Sequence, residues 1–203
     1  MGISRIYHNL AKGDCPMYIK APILLLSNWL FQGILYMDKT ERVFKLALDM
    51  LFTLVLVFLG VNLGVSILIG HTFNWILNGH VFVVFKNLKI ITTPREKFDV
   101  YLERLKKRVE NEPSIVWAGV YGSLVRGEFK ETSDLDIRLI RKLGVINGVR
   151  ACIFVMRERS WATFHKFPLD IYVGDSVRFL ENMNKKELPI TLKGEFDAYL
   201  HSL

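Results

Sequence analysis

Gly122-Ser123-Leu-Val-Arg126-Gly127-Glu-Phe-Lys-Glu-Thr-Ser133-Asp134-Leu-Asp136 is the stretch that decides how this chain folds. It is preceded by Ile115 to Tyr121 (IVWAGVY), a short, continuously apolar run ended by Gly-Ser, which reads as a buried strand. Asp134 to Ile140 (DLDIRLI) then alternates, and side chains along a strand repeat every second residue. Leu135, Ile137 and Leu139 therefore face a core, while Asp134 and Asp136 point together from the opposite face. Two like charges held side by side are costly unless a cation lies between them, so the pair asks for a divalent metal.

Pro168 to Val173 (PLDIYV) supplies a third acid on the same logic. Leu169, Ile171 and Val173 share one face, and Asp170 takes the other. If this strand lies beside the first two, three carboxylates converge. Hard oxygen donors of this kind suit Mg²⁺, which keeps several waters and is usually completed by substrate phosphates. The Gly-Ser turn offers the phosphate end, because glycine admits close backbone approach and the N–H groups of the following helical turn, with the Ser123 hydroxyl, can hold phosphate oxygens.

Together these residues resemble the DNA polymerase β nucleotidyltransferase superfamily, in particular its minimal nucleotidyltransferases. The family pattern is Gly-Ser, a second Gly about five residues on, Ser-Asp-x-Asp, and a third Asp on a later strand. Gly122, Ser123, Gly127, Ser133, Asp134, Asp136 and Asp170 fill it, over roughly residues 95 to 180. The resemblance implies an α/β (α+β) core, a small mixed β-sheet with flanking helices. It also implies transfer of a nucleoside monophosphate from a nucleoside triphosphate, with ATP the expected donor, to an acceptor hydroxyl, using two Mg²⁺ ions. Asp134, Asp136 and Asp170 would be both catalytic residues and metal ligands, with Asp170 helping to deprotonate the attacking hydroxyl. Gly122 and Ser123 would bind the outer phosphates. Ser133 reads as a brace at the strand entrance as well as a member of the nucleotide site, and Arg126 as either a phosphate partner or a solvated side chain.

The first 90 residues lie outside that resemblance. At 51% hydrophobic residues, with mean hydropathy +0.24, the chain of 203 residues is apolar for one with a charged site, and the excess is concentrated. Met50 to Phe85 contains no Asp, Glu, Lys or Arg, and Met50 to Ile69 has the roughly 20-residue length that a bilayer core requires. This predicts a hydrophobic helical region over 1–90, with transmembrane helices either at 21–37 and 50–69 or as a tight hairpin within 50–85. His71, Asn74 and Asn78 fall on one helical side, as an interfacial helix would place them or as polar groups that satisfy one another against neighbouring helices. Neither His71 nor His80 reads as a metal ligand. The basic run over 86–108 marks the cytoplasmic side, so a catalytic domain at 94–203 is expected in the cytoplasm, anchored to a membrane. A lipid bilayer is accordingly an expected partner, and the acceptor is a protein, a lipid-linked sugar or lipid headgroup, or a small molecule.

Net charge of +7 and a pI near 9.4 raise nucleic acid as a partner, but the charge lies largely in that basic run, and no aromatic-basic stripe accompanies it. Nucleic acid is therefore not expected. Cys15 and Cys152 are too far apart in sequence to define a disulfide framework or metal cluster. Thr93-Pro94 breaks the chain, and apolar residues at Phe98, Tyr101, Leu102, Leu105 and Val109 predict an amphipathic helix over 95–110. Gly144 to Gly148 reads as a loop, Val149 to Phe164 as helix or extended chain, Ser176 to Asn182 as a short helix, Lys185 to Pro189 as a loop, and Phe196 to Leu200 as a tail against the sheet. Two other functions stay open at this level: a catalytically silent nucleotide-binding regulatory module, and a hydrophobic region that docks a partner.

Overall fold

A computed structural model describes residues 17–81, 84, 92–182 and 188–195. Its centre is a four-stranded mixed sheet built from β1 (Ile115–Tyr121), β2 (Leu135–Arg141), β3 (Leu169–Gly174) and β4 (Ile190–Lys193), in the order β3-β2-β1-β4. β1 pairs antiparallel with β2 and β4, whereas β2 and β3 run parallel. A parallel pair needs a long crossover, and here it is a 20-residue helix, Val145–Phe164. That helix begins within the stretch Gly144 to Gly148, where the glycines suggest a loop; only Gly144, at φ +104°, stays outside it.

One face of the sheet is covered by the crossover helix and by Arg95–Glu110, which starts directly after Pro94 and buries Phe98, Tyr101, Leu105 and Val109. These meet Leu135, Ile137, Leu139, Ile171 and Val173, the apolar halves of the alternating strands. Fully burying such side chains stabilises by roughly 1.5–3 kcal/mol each. Cys152 lies in this core, where burial pushes its thiol up to about 12. On the other face Trp117, Tyr121 and Ile140 pack under a short 3₁₀ helix, Val177–Asn182.

The described N-terminal part holds three helices, which with the two above are numbered in chain order: α1 (Met17–Phe31), α2 (Lys39–Phe58), α3 (Leu63–Leu77), α4 (Arg95–Glu110) and α5 (Val145–Phe164). No described helix is long and apolar enough to cross a membrane. The expected transmembrane helices, and the membrane localisation with a cytoplasmic catalytic domain that rested on them, are thereby overturned. The apolar run 50–69 is not one helix. It is cut at Gly60, whose φ is +85°, and α3 restarts at Asn62, whose side chain accepts from Gly64 N. Its first half belongs to a helix that begins at Lys39 and carries Glu41, Lys45 and Asp49 at intervals of four, on one stripe. Basic residues Lys86 and Lys89, the Lys185 to Glu187 part of the expected loop, and the expected tail lie outside the described residues.

That charged stripe explains how the helices attach to the sheet. Asp49 accepts from Asn74 at 2.7 Å and pairs with His71 at 3.1 Å; Asn74 also donates to the Lys45 carbonyl, and Asn78 to Asn74. His71, Asn74 and Asn78 thus satisfy polar groups between helices. Glu41 Oε2 accepts from Val173 N at 3.0 Å, capping the open edge of β3, and its other oxygen lies 2.7 Å from Arg159 of α5. At the N-terminus of α2, Thr40 N donates to Asp175 just after β3, and Asp175 N donates to Asp38. Anions at a helix N-terminus are favoured by its dipole.

Both ends of this network are testable. Glu41→Ala leaves the buried Arg159 guanidinium without its carboxylate, and the expected loss in urea unfolding is about 3 kcal/mol. Burial pushes the Lys45 ammonium down to about 7, Arg159 adding to the effect and Asp49 and Glu41 opposing it. Between that value and the ordinary lysine range near 10.4, the unfolded chain binds a proton that the folded one does not, so stability rises with pH. Unfolding free energies measured from roughly pH 7 to 8.5 should therefore rise for the wild type relative to Lys45→Met; parallel curves would contradict this reading.

Candidate metal and phosphate site

Adjacency of β2 and β3 sets the site. Their register pairs Asp136 with Asp170 directly, and Asp134 lies just ahead of β2. Asp134, Asp136 and Asp170 each present an oxygen, and these atoms all lie within 4.8 Å of one another, each residue partly exposed. The arrangement answers the requirement that the three strands be neighbours in one sheet. Such a set of hard, ionisable oxygens is the chemistry that Mg²⁺ takes.

β1 ends beside it. Gly122 follows Tyr121 at φ +81° and opens the 3₁₀ turn Gly122–Leu124, and a Cβ there would collide with Asp136 Oδ2. Any other residue would close the space between the turn and the acid. Ser123 follows on the same turn with its hydroxyl oxygen buried and without a hydrogen-bond partner among the described residues. A buried hydroxyl left unbonded costs about 1–3 kcal/mol, so it is normally met by a partner. Ser123, Glu128, Phe129, Lys130 and Ser133 line a cleft of about 620 Å³, within the size range of small-molecule sites.

The remaining expected residues, Gly127, Ser133 and Arg126, are placed as follows, with two aromatic neighbours. Gly127 stands at φ +69° with open space around it, just before the cleft-lining residues Glu128 to Lys130. Ser133 accepts from Lys130 N at 3.0 Å and returns its own N–H to the Lys130 carbonyl at 2.8 Å, closing the turn that feeds β2. Arg126 pairs with Glu128 at 2.8 Å on an exposed flank. Tyr172 shares the Asp170 side, but it is buried between helices and sheet, with the Arg138 and Arg159 guanidinium carbons 5.0 and 4.7 Å from its ring centre. Trp161 stacks on His165 at 3.9 Å.

Sequence reasoning missed Arg138. It stands two residues beyond Asp136, hence on the same face, and is 9% exposed. Nη2 donates to Asp170 Oδ2 at 3.0 Å, and Nη1 to the Asp170 and Ile137 carbonyls. Burial opposes its charge, but Asp170 and Asp136 outweigh that and hold its pKa above the ordinary arginine value. The alternation that marks Asp134 and Asp136 as a pair would have found it, had it been followed one step further. Tyr36, in the turn after α1, also faces this acid: burial first, then the charge of Asp170, pushes its hydroxyl up.

No protein family matches the chain, and no curated protein or solved structure is significantly similar to it. The site thus stands on its own geometry. A phosphate-binding role for Ser123 is checked with Ser123→Ala. Removing an unbonded hydroxyl should leave thermal stability unchanged or slightly higher, while affinity for a nucleoside triphosphate, read by calorimetry with Mg²⁺, falls about tenfold, the worth of one hydrogen bond to a charged group.

Proposed function

We propose that this chain is a Mg²⁺-dependent nucleotidyltransferase that moves a nucleoside monophosphate from a nucleoside triphosphate to an acceptor hydroxyl. The observation that carries this reading is the meeting of three carboxylates, one just ahead of β2, one from β2 and one from β3, at the Gly-Ser turn that ends β1. The resemblance to minimal nucleotidyltransferases of the polymerase β superfamily rests on the same residues and supports it. Asp134, Asp136 and Asp170 would hold the ions. When bound, such ions would supply positive charge to the oxygens of the reacting phosphate.

The chain's own groups do the rest. Ser123 donates its buried hydroxyl to a terminal phosphate, and the N–H groups of its turn face the same anion. Gly122 keeps the path between phosphate and Asp136 clear. Asp170 accepts the proton of the acceptor hydroxyl as its oxygen bonds to the α-phosphorus and pyrophosphate leaves, and Arg138 holds that carboxylate in a fixed direction. Ser133 stiffens the entrance to β2, so that the acids keep their spacing. ATP is the donor we put first, and a protein, sugar or other small molecule bearing a hydroxyl is the acceptor.

Label transfer tests the reading. Purified protein is added to cell extract with each α-labelled nucleoside triphosphate and Mg²⁺, beside an Asp134→Ala/Asp136→Ala control. The expected result is label on an acceptor, falling at least about a hundredfold in the control, the scale on which removing a group that stabilises transition-state charge acts. Nucleotide binding without acid-dependent label from any of the four donors would favour a silent nucleotide-binding module instead.

A further inference from the structure

The order of the sheet sets the side from which an acceptor reaches the site. The Gly-Ser turn closes β1, Asp134 and Asp136 stand at the start of β2, and Asp170 stands on β3, the edge strand. When a phosphoryl group is displaced, the attacking and leaving oxygens lie roughly in line on opposite sides of the phosphorus. With the outer phosphates at Ser123, beside β1, the attacking hydroxyl enters from the β3 side.

That edge carries a segment of the chain itself. The connection between α1 and α2, residues 32–38, is held along β3 at two points. A Cβ on Gly33 would lie 3.4 Å from the Tyr172 hydroxyl oxygen, and Asp38 accepts from Asp175 N at 2.8 Å. Between them Met37 is buried with its carbonyl accepting from Arg42 at 2.7 Å, and Tyr36 N donates to the Gly33 carbonyl at 2.9 Å. Tyr36 stands out from this anchored turn half exposed, and the charge of Asp170 acts on its hydroxyl. Of the other described tyrosines, Tyr101, Tyr121 and Tyr172 are buried. Tyr18 is exposed, but it stands near the other end of α1, roughly 20 Å of helix from the turn.

We propose that Tyr36 is an acceptor for this site in cis, so that the chain transfers a nucleoside monophosphate to its own phenol. This rests on the nucleotidyltransferase reading above and gives it an acceptor. The Tyr36 oxygen bonds to the α-phosphorus, its proton passes to Asp170, and the α-phosphorus parts from the bridging oxygen as pyrophosphate leaves. The product is a phosphodiester that ties a nucleotide beside Asp170. A chain so modified no longer offers that acid to a second hydroxyl, so self-transfer limits transfer to other acceptors.

The test uses the purified full chain with each α-labelled nucleoside triphosphate and Mg²⁺, without extract. Wild type, Tyr36→Phe, Tyr18→Phe and Asp134→Ala/Asp136→Ala are compared, with near-ultraviolet circular dichroism checking the fold. Expected are covalent label on wild type and Tyr18→Phe, and loss of it in Tyr36→Phe to the background of the double Asp variant. Mass spectrometry of the tryptic fragment 21–39 should place the added nucleotide on Tyr36. The fraction labelled per unit time should not change with protein concentration, and a size-tagged Asp134→Ala/Asp136→Ala chain mixed with wild type should stay unlabelled. Label that persists on a folded Tyr36→Phe would overturn the proposal, and label on the tagged chain would overturn its intramolecular form. So would an unlabelled wild type that nonetheless labels an acceptor in extract. Absence of acid-dependent label from wild type, alone and in extract, would remove the nucleotidyltransferase reading itself, and the role of Tyr36 with it.

Discussion

Like charges on neighbouring strands push the strands apart, and this molecule places Asp136 and Asp170 directly across a parallel ladder. The sheet must hold them there against that repulsion. It does so from below, where Leu135, Ile137, Ile171 and Val173 are locked against α4 and α5, and from the side, where Glu41 and Asp38 bond the outer edge of β3. Arg138 supplies counter-charge within the same face. Core, edge cap and arginine all serve one demand, that two carboxylates remain side by side on neighbouring strands.

The helical hairpin is tied to this demand more closely than its sequence suggests. Glu41 reaches both β3 and Arg159, and Arg159 lies against Tyr172, whose ring also meets Arg138. A displacement of α2 would thus be felt at Asp170 through contiguous packed and bonded groups. The hairpin works as a clamp on the strand that carries the third acid.

β1, β2, β3, α4 and the convergence of acids were legible in the sequence because each depends on short-range pattern, whereas the four-residue β4 carries too little pattern to be read. Leu135, Ile137 and Leu139 alternate with Asp134 and Asp136, and Phe98, Tyr101, Leu105 and Val109 recur at helical spacing. The N-terminal region was misread because its decisive features are long-range. Counting apolar residues from Met50 set aside Asp49, one residue earlier, along with Glu41 and Lys45, whose purpose appears only when His71, Asn74 and Arg159 are brought beside them. Gly60 and Asn62 sit inside the apolar run as a break that hydropathy averages away. Arg138 was overlooked for a related reason: an arginine in a strand reads as solvated until the partner strand that receives it is known.

The edge cap joins residues far apart in the chain, for Glu41 waits on Val173, 132 positions later. Synthesis proceeds at about 5–20 residues per second, so the finished hairpin, which ends at Leu77, waits roughly 5–19 s before Val173 is made. During that interval its charged stripe has no sheet to grip, and the apolar flanks at Leu54, Phe58, Leu63 and Leu68, exposed even in the finished fold, are accompanied by surfaces that will later be covered. The nascent chain therefore passes through a window in which it is sticky and its three acids are not yet together, and its yield in a cell depends on what shelters the hairpin until the last strands arrive.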